Sequence, residues 1–591
     1  MHRRFISLVI AAAIGISAAP AVVATPAVAS GNLVKQPVAV GTGGAVASVN
    51  LLATAAGIRI LQQGGNAVDA AVAAAAVLGV AEPFSSGIGG GGFMVIYDAR
   101  QDRVTTIDSR EKAPQAYRAD VFIDPATGRP IPFAEGVTSG LGVGVPGTLL
   151  AWRTAAERFG TQPLSALLNP AIDIADQGFT VNPVFAQQIA DNASRFRDFS
   201  STRALYLDAN GQPPAVGSLF RNPDLANTYR LIARQGTDVF YRGPIAPNIV
   251  DTVQHPPLVP GATRNVRPGL MTTDDLAAYG VVIREPVATS YRGFKVYGMG
   301  PPSSGGSTIG ESLNILQGFD LAGMSRVQAL HRYLETTRLA YADRNAYLGD
   351  PDVVDVPLTG LLSNGFAAQR RALIGPTAAT SPVAPGNPYQ FQKQVKSAGS
   401  DGEGPSTTHL TVADRWGNIV SYTFTIEQIG GSGMVVPGRG FLLNNELTDF
   451  EFTPGLANSP GPSKRPRSSM SPTIVFKGSR PVLALGSPGG STIITTVLQI
   501  LLNKLDFGMS LPDAIAAPRA SQRNSPLTTA EPAFLATPEA AGLLALGQRF
   551  STTAEIGAAT GIAFLPDGVF QAAAEPVRRG GGSAMVVRPG S

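Results

Sequence analysis

The spacing of apolar residues predicts two helices near the start of the chain. Ala45 to Gln63 gives the first apolar pattern, and Ala67 to Val80, which is rich in Ala and Val, gives the second. Asn66 suits the N-cap of the second helix, because its side chain can accept a backbone N–H of the first turn. A helix so rich in Ala packs closely against its neighbours, so we expect it to be buried scaffold.

Further along, apolar runs predict short strands at Phe93 to Tyr97 and at Val104 to Asp108. Helical spacing dominates residues 140–345. The predicted helices there are Asn169 to Gln177, Asn222 to Arg234, Thr272 to Tyr279 and Val327 to Tyr347. Residues 376–406 are rich in Pro, Gly, Ser and Gln with few large apolar groups, a composition that predicts a flexible, exposed tail.

From Thr407 onwards the pattern changes to the alternation that is typical of strands. Leu410 and Val412 precede a turn cluster at Asp414 to Asn418, and Ile419 to Ile426 follows as a second strand. A hairpin and a helix complete the list: Ile474 to Phe476 with Pro481 to Leu485, then Ser491 to Leu505. The mixture predicts an α/β (α+β) chain without internal repeats.

The junction between the tail and these strands carries candidate chemistry. Thr407 and Thr408 follow the Gly/Pro/Ser-rich run directly, which indicates an internal cleavage site after Ser406. Cleavage there would leave Thr407 with both a hydroxyl and a free α-amine. A hydroxyl needs an adjacent base to become a good nucleophile, and an α-amine titrates near ~7.7–8.0. Thr407 is therefore the candidate nucleophile.

Composition narrows the class of protein. Met1 to Ala29 has the positive start, apolar stretch and small-residue end of a secretory signal, and its apolar part is too short for a stable membrane span. A formal net charge of +4 over 591 residues argues against nucleic acid as the main partner. The chain has no Cys and only four scattered His, so disulfides and thiolate metal sites are excluded and no zinc motif exists.

Several motifs in order give the chain a resemblance to a known family. They are Thr407-Thr408-His409, Asn444-Asn445-Glu446, Lys464-Arg465-Pro466, Ser468-Ser469-Met470-Ser471-Pro472-Thr473 and Gly486-Ser487-Pro488-Gly489-Gly490. Together they closely resemble the γ-glutamyltransferases (γ-glutamyl transpeptidases), which are N-terminal-nucleophile hydrolases. The resemblance covers nearly the whole chain after the leader.

The resemblance implies a fold and an assembly. The expected fold is a four-layer αββα sandwich, built from a large piece (30–406) and a small piece (407–591) that form one interleaved heterodimer after the signal (1–29) is removed. The expected protein is extracytoplasmic and needs no cofactor or metal. Its expected partners are γ-glutamyl compounds such as glutathione, with amino acids or peptides as acceptors.

The resemblance also assigns the catalytic residues. Thr407 would first attack the carbonyl of Ser406 to cut the chain, and would then attack the γ-amide of the substrate. Thr425 matches the threonine that supports this hydroxyl. Gly489 and Gly490 match the oxyanion hole, since two backbone N–H groups without side chains can point at a developing negative charge.

Substrate recognition would use charged groups and hydroxyls. Arg110 suits the substrate α-carboxylate, because a guanidinium binds a carboxylate through two parallel hydrogen bonds. Ser468 and Ser469 match serines that donate to the same carboxylate. Glu446 and Asp449 supply negative charge for the α-ammonium.

Three positions depart from many family members. Many members have Asn where this chain has Glu427, whereas the Bacillus branch, which this stretch resembles, carries Glu. Glu427 remains a candidate ligand of the ammonium or of the Thr407 amine. Only Glu451 to Ser463 separates Phe450 from Lys464, so the chain resembles the lidless Bacillus branch, and an open cleft predicts larger substrates such as poly-γ-glutamate. Glu82 replaces a common His, with no evident consequence.

Two alternatives remain at this stage. A cephalosporin (glutaryl) acylase on the same fold would lack a substrate ammonium, and so would not need Glu446 and Asp449. A binding protein without turnover would not need the intact set of Thr407, Thr425 and Gly489-Gly490.

Overall fold

A computed structural model describes residues 34–392 and 406–590 of the chain. The predicted leader (1–29) lies outside the described residues, as does the stretch 393–405 before the proposed cut. None of the described helices is both long and apolar enough to cross a bilayer.

The strands of the described residues are β1 Val38–Ser48, β2 Gly91–Asp98, β3 Arg103–Asp108, β4 Ile123–Asp124, β5 Arg129–Pro130, β6 Phe179–Thr180, β7 Leu219–Phe220, β8 Val282–Arg284, β9 Val287–Tyr291, β10 Phe294–Gly298, β11 Thr408–Asp414, β12 Ile419–Thr425, β13 Thr473–Lys477, β14 Arg480–Gly486, β15 Ala520–Ser521, β16 Thr528–Ala530, β17 Phe550–Thr552, β18 Thr560–Phe564, β19 Phe570–Ala574 and β20 Ser583–Pro589. The α-helices are α1 Leu51–Gln62, α2 Ala67–Ala81, α3 Phe133–Val137, α4 Thr148–Phe159, α5 Leu164–Leu167, α6 Asn169–Gln177, α7 Pro183–Phe196, α8 Ser200–Tyr206, α9 Pro223–Gln235, α10 Asp238–Tyr241, α11 Ala246–Gln254, α12 Thr273–Ala278, α13 Gly305–Leu316, α14 Arg326–Tyr347, α15 Leu358–Leu361, α16 Asn364–Arg371, α17 Ile493–Leu505, α18 Leu511–Ala516, α19 Pro532–Leu535 and α20 Pro538–Ala545.

Thirteen strands share one hydrogen-bonded network that divides into two halves at β1. Residues 44–48 of β1 pair with β11, residues 38–41 pair with β19, and β20 lies along the strand as well. The first half continues from β11 through β12, β2 and β3 to β8. The second continues from β19 through β18, β14, β13 and β10 to β9. The two halves face each other, since Ser421 Oγ of β12 donates to the Leu485 carbonyl of β14 at 3.0 Å.

Buried side chains alternate between the two faces of each half, as the period of a strand requires. In β2, Met94 and Ile96 join the apolar cluster of α2, whereas Phe93 and Val95 join the cluster that contains Leu485. Helices α1 and α2 contact the first half from outside, and α13 and α17 contact the second. The architecture is thus helix, sheet, sheet, helix, which is the predicted four-layer αββα sandwich.

Most predicted elements are confirmed, with ends that differ by no more than two residues. Helix α2 begins and ends as expected, and all of its side chains are buried. The Asn66 side chain accepts the N–H groups of Val68 and Asp69, and the Asp69 carboxylate accepts the Asn66 N–H in return, which forms a capping box. The sequence patterns gave no signal for β8 to β10 or β18 to β20.

The single helix predicted from Ala45 to Gln63 is wrong. Residues 45–48 belong to β1, where β11 lies on one side and β20 on the other. Helix α1 begins only at Leu51, because the Asn50 side chain accepts the Leu52 N–H at 2.9 Å and caps it. Small apolar residues such as Ala are compatible with both states, so spacing alone could not separate a central strand from the helix that follows it.

Residues 376–392, predicted to be an exposed tail, are attached to the folded body instead. The Ala379 N–H donates to the Glu335 carboxylate at 3.0 Å, and the Gly386 N–H donates to Asp343 at 2.6 Å. Hydrogen bonds from its backbone to buried acids of α14 hold this segment in place. The prediction from composition was wrong here because it considered only the burial of apolar side chains.

His409 of β11 lies in the interior between the two halves. Its Nδ1 lies 2.8 Å from Thr423 Oγ1 and its Nε2 lies 3.0 Å from Thr411 Oγ1. The ring covers Gly486 so closely that a Cβ there would meet it at 2.4 Å. Burial lowers the pKa of His409 to about 3.

We therefore expect His409 to make folding sensitive to mild acid. Below pH ~6.5, the ordinary pKa of histidine, the unfolded chain binds a proton at His409. The folded chain binds this proton only at about pH 3. The stability that is present above pH 6.5 is therefore lost as the pH falls. The loss is roughly 1.4 kcal/mol per pH unit. The variant His409→Gln should flatten the decline in urea-unfolding free energy between pH 6.5 and 5.

His255→Gln is the matched control, because the His255 side chain is 75% exposed. This variant should keep the wild-type slope. Equal slopes in all three proteins would contradict the assignment.

Candidate active site

The hydroxyls of Thr407 and Thr425 meet where two neighbouring strands come together. Thr407 directly precedes β11 and Thr425 ends β12, and these strands pair so that Thr408 lies opposite Phe424. Thr407 Oγ1 donates to Thr425 Oγ1 at 3.2 Å, and Thr425 Oγ1 also accepts the Glu427 N–H at 2.9 Å. Both threonines are buried, so packing fixes the orientation of the Thr407 oxygen.

The peptide bond between Ser406 and Thr407 is held on both sides. The Ser406 carbonyl accepts the Gly489 N–H at 3.2 Å, and the Thr407 carbonyl accepts Arg579 Nη1 at 2.8 Å. Thr407 has φ of +104°, which is unfavourable for a β-branched residue. Ser406 is fully buried, contrary to the expectation of an exposed junction. A strained, buried peptide bond therefore lies beside a fixed hydroxyl.

The turn that supplies the Gly489 N–H requires glycine. It links β14 to a short 3₁₀ turn, Gly490–Thr492, that leads into α17. Gly489 has φ of +137°, and a Cβ there would lie 2.7 Å from Thr492 Oγ1. Gly490 has φ of +55° and lines a cavity that contains Thr407. The turn thus presents bare backbone to the peptide bond and to the cavity.

One small cavity brings together all but two of the residues predicted for the site. Its lining consists of Arg110, Thr407, Thr425, Glu427, Glu446, Asp449, Ser468, Ser469, Met470, Gly490 and Ile493. The remaining two, Ser406 and Gly489, are the pair joined by the hydrogen bond described above. The cavity measures about 20 Å³, which is room for about one water molecule.

The Arg110 guanidinium lies at the centre of a buried charge cluster. Its Nη1 donates to the Glu446 carboxylate, and its Nη2 donates to Asp449 at 2.5 Å. Its Nε also donates to the Pro466 carbonyl at 3.1 Å, and its Nη2 also donates to the Arg467 carbonyl at 2.8 Å. Arg110, which was predicted to bind the substrate carboxylate, therefore contacts Glu446 and Asp449, which were predicted to bind the substrate ammonium.

A third carboxyl lies behind this cluster. Burial is the main reason that the pKa of Glu111 rises to about 8, although Arg110 opposes the shift. Burial also raises the pKa of Glu446 well above its usual range. Three buried carboxyls, Glu111, Glu446 and Asp449, thus share one guanidinium, and burial favours the protonated form of both Glu111 and Glu446.

The Glu427 carboxylate faces the cavity and is held by neutral donors. Asn445 Nδ2 donates to its Oε2, Thr448 Oγ1 donates to the same oxygen at 3.4 Å, and Gln428 Nε2 donates to its Oε1 at 2.8 Å. Its backbone also has positive φ, +77°. A side chain held this way keeps its charge directed at the cavity.

Ser468 and Ser469 are positioned by residues distant in sequence. The Ser468 carbonyl accepts the Ser304 N–H at 2.7 Å and its Oγ at 2.6 Å. Arg344 of α14 donates to Ser469 Oγ and to Ser304 Oγ, both at 2.8 Å. The second half of the sheet, through α13 and α14, therefore fixes this wall of the cavity.

The short segment 451–463 does not line the cavity in the described structure. Asn458 Nδ2 donates to the Asp449 carbonyl at 2.7 Å, and Asn458 Oδ1 accepts the Arg467 N–H at 2.7 Å. Lys464 Nζ, whose pKa burial lowers to about 8, donates to the Ala457 and Ser459 carbonyls. The segment thus braces Asp449 from behind.

Sequence reasoning missed four residues of the site: Glu111, Arg344, Asn445 and Arg579. Asn445 stands inside a quoted motif, and Glu111 adjoins Arg110, so both were within reach of local inspection. Arg579 is 172 positions from Thr407 and Arg344 is 125 positions from Ser469. No local pattern links residues so far apart; only the fold does.

Comparison with known proteins gives a consistent result. The family model described as "Gamma-glutamyltranspeptidase" matches residues 53–585. A glutathione hydrolase proenzyme of Bacillus subtilis (strain 168) is 44% identical over 493 residues, 82% of this chain and 81% of the relative.

Solved structures share the fold. Cephalosporin acylase from Bacillus halodurans superposes with a TM-score of 0.82 at 29% identity, over 95% of this chain and 99% of that one. γ-Glutamyltranspeptidase from Helicobacter pylori gives a TM-score of 0.54 at 34% identity, over 59% of this chain and 96% of that one. The fold is that of the N-terminal-nucleophile hydrolases, and the chain belongs to the γ-glutamyltranspeptidase family.

Proposed function

We propose that this protein is a self-cleaving γ-glutamyltransferase and glutathione hydrolase. The observation that carries the proposal is the hydrogen bond from the Gly489 N–H to the Ser406 carbonyl, beside the hydroxyl of Thr407. It combines a nucleophile, a carbonyl and an oxyanion donor at one peptide bond.

Self-cleavage follows from this arrangement. Thr407 Oγ1 attacks the Ser406 carbonyl carbon, and the Gly489 N–H stabilises the negative charge on the carbonyl oxygen. The C–N bond breaks, an ester joins Ser406 to Thr407, and the α-amine of Thr407 takes up the proton. Water then hydrolyses the ester to give pieces 30–406 and 407–591, which remain together as a heterodimer. Burial of Ser406 favours this route, since an external protease could not reach the bond.

The same groups then act on the substrate. The freed α-amine of Thr407 serves as the base, and Thr425 keeps the attacking oxygen in place. The oxygen attacks the γ-carbonyl of the glutamyl group, and Gly489 and Gly490 stabilise the oxyanion. One such donor is worth roughly 3–4 kcal/mol in comparable enzymes. The γ-glutamyl ester passes to water or to the amine of an amino acid or peptide.

The charge cluster suits a glutamyl head group. Arg110, which pairs with Glu446 and Asp449 in the uncut chain, would exchange these contacts for the α-carboxylate, with Ser468 and Ser469 beside it. The acids Glu446 and Asp449, with Glu427, would then bind the α-ammonium. In the uncut chain the cavity of about 20 Å³ cannot hold such a group, and the Ser406 carbonyl occupies the acyl position. The precursor would therefore be inactive until cleavage frees this space.

Further support comes from the relatives. The B. subtilis protein is named a proenzyme, which agrees with processing. The match to the solved H. pylori chain includes 96% of that chain but only 59% of this one. This is expected if the H. pylori chain is one of two pieces of a cut precursor. We also propose that residues 1–29 are a signal and that the protein acts outside the cytoplasm. The short segment between Phe450 and Lys464 favours large substrates such as poly-γ-glutamate beside glutathione.

A glutaryl acylase is the second candidate, because the cephalosporin acylase of B. halodurans shares the fold over 95% of this chain. A glutaryl group has no ammonium. The cavity is lined by three acids, Glu427, Glu446 and Asp449, and one arginine, Arg110, and this excess of acidic groups favours a substrate that carries an ammonium over one that does not.

Thr407→Ala should remain a single chain without activity, because the substitution removes the hydroxyl that lies beside the Ser406 carbonyl. A denaturing gel and release of p-nitroaniline from γ-glutamyl-p-nitroanilide measure the two effects. Thr408→Val is the matched control, since the Thr408 hydroxyl has no hydrogen-bond partner among the described residues. It should still be cut. Two pieces from Thr407→Ala would refute the assignment.

Arg110→Lys should raise the KM for γ-glutamyl-p-nitroanilide about tenfold or more, because a lysine cannot reproduce the fork that binds a carboxylate. Steady-state kinetics of the cut variant measures this. Arg118→Lys, at a side chain that is 77% exposed, should leave KM unchanged. An unaltered KM in Arg110→Lys would mean that this guanidinium does not contact substrate.

The two candidate activities are separated by paired substrates. The cut protein should turn over γ-glutamyl-p-nitroanilide with kcat/KM at least about 100-fold above that of glutaryl-p-nitroanilide, because the ammonium adds an ion pair worth roughly 3 kcal/mol when desolvated. A preference for the glutaryl compound would favour the acylase.

A further inference from the structure

A second, much larger cleft of about 1180 Å³ opens beside the cavity that contains Thr407. The two share the oxyanion turn, since Gly489, Ser491 and Thr492 line the cleft and Gly490 lines the cavity. A leaving group that departs from the acyl carbon, or an amine that approaches it, therefore has space on this side.

Among the charged residues that line the cleft, cationic side chains outnumber acidic ones. Its charged residues are the arginines Arg195, Arg264, Arg523 and Arg579 and the acids Asp191 and Glu555. A cleft with more guanidinium than carboxylate groups attracts anionic ligands.

Three of these arginines are committed to the fold. Arg195 donates to the carbonyls of Ile429 and Gly431 at 2.6 and 2.7 Å. Arg264 pairs with Asp198 at 2.6 Å, and Arg579 donates to the Thr407 carbonyl. Their guanidinium groups already have strong acceptors.

Arg523 differs from the other three. Its Nη1 donates to Ser491 Oγ and its Nη2 donates to Thr529 Oγ1 at 3.2 Å. Its Nε is buried and donates to no acceptor among the described residues, and it forms no ion pair with any carboxylate of residues 34–392 and 406–590. Two neutral hydroxyls fix the guanidinium but leave its charge uncompensated. Ser491 follows Gly490 directly, so this charge lies next to the oxyanion turn.

We propose that Arg523, held by Ser491 and Thr529, binds the carboxylate of the peptide or amino acid on the amine side of the reaction. The same subsite would hold the glycine carboxylate of the leaving group when glutathione is the donor, and the carboxylate of an incoming acceptor. The inference rests on the proposed function, because it assigns the second half of that transfer. It predicts that acceptors with a free carboxylate are preferred to their amides.

Paired acceptors test the subsite in the cut enzyme. With γ-glutamyl-p-nitroanilide as donor, the acceptor KM is measured for glycylglycine and for glycylglycinamide, and the ratio of amide to acid is compared between variants. The ratio should be about tenfold or more in the wild type, the size of one charge-assisted hydrogen bond. It should fall close to one in Arg523→Gln, and Arg523→Lys should restore part of it.

Arg264→Gln is the matched control, because Arg264 lines the same cleft but already pairs with Asp198. It should keep the wild-type ratio. If Arg523→Gln fails to fold or to cut itself, the amide-to-acid ratio of acceptor KM is measured in the wild type at low and at high salt. Because salt screens the attraction between guanidinium and carboxylate, the proposal predicts a smaller ratio at high salt. Equal KM values for acid and amide in the wild type, or an unchanged ratio in Arg523→Gln, would overturn the proposal.

The test separates this inference from the function on which it rests. A wild-type protein that releases no p-nitroaniline at all would refute the γ-glutamyltransferase assignment. Release with no preference between the acceptors would refute the Arg523 subsite alone.

Discussion

One hydrogen bond, from the backbone N–H of Gly489 to the carbonyl of Ser406, fixes the geometry on which self-cleavage would depend. It joins the two halves of the sheet at the chemical centre, because Gly489 follows β14 of one half and Ser406 leads into β11 of the other. Face-to-face packing of the halves sets the distance, with the buried ring of His409 resting on Gly486 between them. The position of the Gly489 N–H, which we propose as the oxyanion donor, is therefore set by the whole sandwich and not by one loop.

Behind this bond lies a buried cluster of charges that is costly to build. Arg110 and its partners Glu446 and Asp449 are withdrawn from water, which costs free energy that their mutual attraction offsets only in part. The carbonyls of Pro466 and Arg467 also accept from Arg110, whereas Glu446 Oε2 has no hydrogen-bond partner among the described residues. A cluster with little net gain in stability is consistent with a role in recognising a substrate that carries both charges.

Local sequence patterns predicted much of this structure, and their failures have a common cause. The Asn66 cap and the buried helix after it depend only on neighbouring residues, so they could be predicted. The strand at residues 45–48 could not, because its state is decided by pairing with β11 and β20. Motifs indicated most residues of the cavity, whereas Arg344 and Arg579 enter through contacts between distant segments. The pairing of charges within the cluster could not be predicted either, because a motif identifies residues but not the distances between their side chains.

The central claim is that the chain cuts itself before Thr407 and uses the new terminus as its nucleophile. Sequencing the chain termini of the protein that carries γ-glutamyl-p-nitroanilide activity tests it most directly. We predict two termini in equal amounts, one at Thr407 and one at the end of the removed leader. Full activity in a protein that is continuous across Ser406 and Thr407, or whose second terminus lies elsewhere, would contradict the account.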